Sequence, residues 1–94
     1  MGNIPTNITR EHILAVIHEL EHGLDSVPPR EHSTKYCLLY NGKHYPPKYV
    51  VRRANVRANG EELWSHYGGP ETNDFLRTRR FDTIECPHGG TRFD

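Results

Sequence analysis

The feature that most constrains this chain is the dipeptide Asn41-Gly42, set between Lys35-Tyr36-Cys37-Leu38-Leu39-Tyr40 and Lys43-His44-Tyr45. A type I′ turn needs positive φ at both central residues, which Asn and Gly adopt most readily, and the flanks are rich in β-favouring residues. The segment therefore predicts a β-hairpin with a two-residue turn. Pro46-Pro47 ends its second strand, because proline offers the ladder no N–H donor, and a proline suits the first turn of a following helix.

A hairpin cannot bury itself, so the question becomes which segments cover it. Before it, Ile13, Val16, Ile17, Leu20 and Leu24 recur at helical spacing behind Thr9, a good N-cap, and predict a helix over 10–22. Ile8 can pack on Ile13 as a hydrophobic staple, and Gly23 is a natural stop. The opposite face, with Glu11, His18, Glu19 and Glu21, reads as solvated. Residues 25–34 carry turn formers and no apolar period, and read as a loop.

After the hairpin, a second helix is expected over 47–58, closed by Asn59-Gly60, with Tyr49, Val50, Ala54, Val51 and Ala58 toward the core. Residues 61–67 suggest one helical turn leading to Gly68-Gly69. A third helix opens at Pro70, with Phe75 and Leu76 inward and Arg77, Arg79 and Arg80 near its end, where cations suit the helix dipole. Phe81 to Cys86 reads as a last strand able to join the hairpin, and 87–94 as a tail or the start of a linker. The expected fold is α+β: one domain over 1–94 with its core in about 8–86, helix, hairpin, two helices and strand, the helices on one face of a small antiparallel sheet.

With no apolar run of about 18 residues and no basic-then-apolar leader, the expectation is no membrane association and a cytoplasmic location. In that compartment Cys37 and Cys86 are expected as buried structural thiols rather than a disulfide. The seven histidines, His12, His18, His22, His32, His44, His66 and His88, form no four-ligand zinc set with the cysteines. His18 and His22 share a helix face and Cys86-Pro87-His88 is a close pair, but no second half completes either, so no metal or other cofactor is expected. No phosphate loop, nucleophile elbow or nuclease signature is present, so no catalytic residue is assigned.

Charge distribution is more informative than its sum of zero. Between Glu31 and Glu61 there is no acid, while Lys35, Lys43, Lys48, Arg52, Arg53 and Arg57 all fall inside that stretch. A helix over 47–58 would put Lys48, Arg52, Asn55 and Asn59 on one stripe and Arg53 and Arg57 beside it, all in water, with the cations spanning about 13 Å. Such a face can follow the phosphates of a DNA strand, with Lys43 from the hairpin adding to it and Asn55 and Asn59 offering amides to an adenine edge. The plainer reading is a helix face that pairs with acids of the first helix. Tyr45, Tyr49, Trp64 and Tyr67 bracket this helix and could form a pocket for an extruded base, although aromatics in so small a domain more often make its core.

At Asn41-Gly42-Lys43-His44-Tyr45-Pro46-Pro47-Lys48-Tyr49-Val50-Val51, then Ala54 and Gly68-Gly69-Pro70-Glu71-Thr72-Asn73-Asp74-Phe75-Leu76, the chain resembles the N-terminal head domain of ScoMcrA-type endonucleases. These are modification-dependent restriction enzymes of the HNH type, cutting methylated or phosphorothioated DNA. The resemblance runs from the first helix through Cys86, and it departs at Arg79-Arg80-Phe81, where a small residue such as glycine is expected before the phenylalanine. Neither the HNH module nor the modification-reading domains lie in this sequence. The resemblance implies an accessory role in a prokaryotic defence nuclease. Two partners are then expected: duplex DNA, including modified DNA, or the other domains of the parent nuclease, the second reading making this a docking module without direct DNA contact.

Overall fold

The structure is a computed structural model that describes residues 4–32, 35–63 and 69–86. Its elements run α1 (Arg10–Glu21), a 3-10 turn (Pro29–Glu31), β1 (Tyr36–Tyr40), β2 (Lys43–Tyr45), α2 (Pro47–Asn59), α3 (Gly69–Thr78) and β3 (Asp82–Glu85). The three strands form one antiparallel sheet in the order β2-β1-β3, so the last strand joins the hairpin through β1.

The local signals act as their chemistry dictates. Asn41 and Gly42 have φ of 51° and 77°, the paired positive values of a type I′ turn, and Tyr40 faces Lys43 across it. At α1 the Thr9 hydroxyl accepts from the His12 backbone N–H, and the His12 ring accepts from the Thr9 N–H at 3.0 Å. An imidazole here fills the place that Glu or Gln takes in a capping box. Helix α2 begins at Pro47 and ends at Asn59, and Gly60 after it, with φ of 81°, provides the left-handed cap. The predicted turn over 61–67 falls mostly outside the described residues, as do Trp64, Tyr67 and the 87–94 tail.

Ile8, Ile13, Val16 and Ile17 from the α1 side, Leu38 and Tyr45 from the sheet, Val50, Val51 and Ala54 from α2, and Leu76 and Phe81 form one buried cluster. Leu38 and Tyr45 are register partners on the face that meets the helices. Cys37, opposite Ile84, belongs to the other face. Leu24 departs from the apolar period of α1: Gly23 turns the chain at φ 72° and leaves Leu24 73% exposed.

The expectation of two reduced thiols is overturned, because Cys37 and Cys86 form a disulfide across a sequence separation of 49. The β1–β3 register is the cause. Cys37 pairs with Ile84, so Cys86 lies two residues further on the same face, and the Cys86 N–H donates to the Lys35 carbonyl at 2.9 Å. The Cα atoms come within 5.1 Å, inside the range a disulfide spans.

Candidate functional site: the arginine face of α2

Helix α2 lies against α1 and the loop that follows α1, and this placement decides the fate of its cations. Arg52 reaches Glu31 of the 3-10 turn at 2.5 Å and Glu62, past the helix end, at 3.4 Å. Arg53 faces Asp25 at 3.7 Å, and Arg57 meets Glu19 of α1 at 2.6 Å. Acids that are segregated from the basic stretch in sequence are therefore folded back onto it.

The picture of a stripe in water needs correction at these positions. The Arg52 side chain is only 15% exposed and that of Arg53 about a third, because each lies between helix and loop. Asn55 is 3% exposed: its amide donates to the Glu61 carbonyl at 2.7 Å and its oxygen accepts from Asn59 at 2.6 Å. Asn59 in turn exchanges hydrogen bonds with Asn7 at 2.7 and 3.1 Å. Neither asparagine is directed at a base edge. They close the C-terminal end of α2 and tie it to the segment before α1. Lys43 and Lys48 are exposed, the first in β2 beside the turn and the second in the first turn of α2.

Of the aromatics, Tyr45 and Tyr49 are core residues, 7% and 5% exposed. The Tyr49 hydroxyl donates to Asp25 at 2.8 Å and lies 3.3 Å from the Ser26 carbonyl. Burial above all, then the hydrogen bond to Asp25 and the charge of that carboxylate, push its phenol from 10.0 up to about 12, against a smaller opposing pull from Arg53 and Arg52. Trp64 and Tyr67 lie outside the described residues.

The same use of arginine recurs where α1 meets the end of α3. Arg10 donates to the carbonyls of Arg79 and Arg80 at 2.9 and 2.8 Å and stacks 4.4 Å over the Phe81 ring. Arg79 donates to the Ile8 and Thr6 carbonyls, both at 2.8 Å, and lies over Phe75. The fork of donors on a guanidinium suits it to satisfy loop carbonyls while its plane covers an aromatic ring.

Two open grooves adjoin α1. One, of about 510 Å³, runs between the end of α1, the loop after it and β2, lined by both signs of charge: Glu21, Asp25 and Lys43, with His32 and His44. The other, of about 390 Å³, is lined by Glu11, Leu14, His18, Glu21, Tyr40 and Asn41. At the last turn of α1 the structure brings together His18, Glu21 and His22. The spacing of the two histidines is legible in the sequence, whereas Glu21 reads there only as part of a solvated helix face.

Comparison with protein-family models, with curated proteins and with solved structures finds no match to this chain. No helix among the described residues is long and apolar enough to cross a membrane.

Proposed function

We propose that this chain is a non-catalytic accessory domain, of the head type, in a modification-dependent HNH restriction endonuclease, and that it docks on that enzyme's other domains rather than gripping DNA with α2. The observation that supports docking is the neutralisation of α2: Arg52, Arg53 and Arg57 each face a carboxylate of the same domain. A phosphate would have to displace these partners, and arginines already paired are not free to neutralise phosphates and so release the cations condensed on DNA. The groove beside β2, with both signs of charge, also suits a protein surface better than a polyanion.

The head-type assignment rests on the resemblance, and one detail of the fold bears on it. The position where the resemblance leads to the expectation of a small residue is Arg80, and its φ is 66°, in the left-handed region that favours glycine. The reading carries a cytoplasmic location with it, a compartment where Cys37 and Cys86 would be exposed to thiol reductants.

A second reading, direct contact with duplex DNA, is favoured by exposed Lys43 and Lys48 around the β2–α2 corner and by the lack of any acid within α2. A gel-shift titration with plain, methylated and phosphorothioated duplexes separates the two. Docking predicts no complex with any duplex at about 0.15 M salt, and binding of the domain in trans to the remaining domains of the parent nuclease. A complex whose log–log salt slope is roughly −3 to −4, the value for all four α2 cations on phosphates, would overturn docking in favour of DNA contact.

A further inference from the structure

We propose that His18, Glu21 and His22 form a binding site for a divalent first-row transition-metal ion of the Zn²⁺, Ni²⁺ and Cu²⁺ class. The site borders the groove that Glu21 helps to line but does not depend on the docking reading. Positions three and four apart on a helix share one face, and here the pattern falls on the last turn of α1, with His22 as the residue that closes it. The two imidazole rings have their centroids 4.2 Å apart, and His22 Nε2 lies 3.9 Å from the Glu21 carboxylate. One donor atom from each of the three residues lies within 4.8 Å of the other two, so modest rotamer changes bring all three onto one ion.

Three further features favour a cation at this place. The C-terminal end of a helix is its negative pole, where positive charge is stabilised. Glu21 pairs with no lysine or arginine among the described residues, in contrast to Glu19, which is taken by Arg57. All three side chains are exposed, and Glu21 lines both grooves, so solvent has access and water can complete the coordination. Two imidazoles and one carboxylate make a nitrogen-rich donor set that selects borderline transition ions over Mg²⁺ and Ca²⁺, which prefer all-oxygen ligands. This is an open three-ligand site, chemically distinct from the closed four-ligand structural zinc that the sequence argues against.

Isothermal titration of the whole chain with Zn²⁺ and with Ni²⁺ tests the proposal. One ion per chain is expected, with Cu²⁺ bound more tightly than either and no response to Mg²⁺. His18→Ala and His22→Ala should each weaken binding at least about tenfold, since losing even an outer-shell partner of a metal ligand costs 10–100-fold. Glu21→Gln should weaken it less, and His32→Ala with His44→Ala should leave it unchanged. Unaltered circular dichroism, expected for such exposed positions, separates lost ligands from lost fold. Binding that survives the His18→Ala/His22→Ala double change, or that disappears only with His32 and His44, would overturn the proposal, as would a parent chain that binds neither ion.

Discussion

Tyr49 shows how a single side chain can be core and polar at once. Its ring is buried while its hydroxyl is held by Asp25, the carboxylate that also faces Arg53. Because its phenol is raised from 10.0 to about 12, the folded state holds this proton more firmly than the unfolded chain does. The associated stability is fully present below pH 10, is lost as pH rises, and is gone above about pH 12. Tyr49→Phe should remove this contribution: alkaline denaturation curves of parent and variant should converge across that interval, with the parent the more stable below it. A constant difference between the two at every pH would mean that the hydroxyl is not coupled to folding.

At the scale of elements, what is encoded within a few residues was readable and what depends on register was not. Thr9 at the start of α1, the Asn41-Gly42 turn and the Pro47-to-Gly60 span of α2 each carry their own signal, because caps and turns are satisfied by neighbours in the chain. The burial of Asn55, the Cys37–Cys86 bond and the ion pairs of Arg52, Arg53 and Arg57 each need a partner brought in by the tertiary fold, and helical spacing alone cannot say which side of α2 meets α1. The end of α3 lies between these cases. Phe81 N–H donates to the Leu76 carbonyl at 3.1 Å, the long bond of a Schellman cap, and the turn places Arg80 at φ 66°. A side chain in that conformation costs about 1–2 kcal/mol, partly offset by the greater chain entropy that glycine loses on folding. Arg80→Gly should therefore stabilise the domain by about 0.5–1 kcal/mol, since only backbone atoms of Arg80 serve the contact with Arg10. A fall in the midpoint of urea denaturation would show that the Arg80 side chain contributes something the cap argument omits.

For the molecule as a whole, a small core is reinforced by long-range ties. The disulfide fastens β1 to β3 across a separation of 49 residues, and such a link typically adds about 2–4 kcal/mol, so Cys37→Ser/Cys86→Ser should lower the denaturation midpoint clearly while leaving the fold. The arginines are the other ties: Arg10 and Arg79 join the start of α1 and the residues before it to the end of α3, and Arg52, Arg53 and Arg57 hold α2 to α1 and to the loop that follows it. Pairs as exposed as Arg57 with Glu19 contribute about 0–1 kcal/mol, but the more enclosed Arg52, set between Glu31 and Glu62, should matter more. The basic face of α2 thus serves to hold this domain together. Equilibrium urea denaturation of the Arg52→Glu/Arg53→Glu variant probes this role, because three native carboxylates, Asp25, Glu31 and Glu62, would each face a new one. A loss of about 2 kcal/mol or more is expected, seen as a lower midpoint at unchanged slope. A variant as stable as the parent would instead return these arginines to the solvent-facing role expected of a DNA-binding surface.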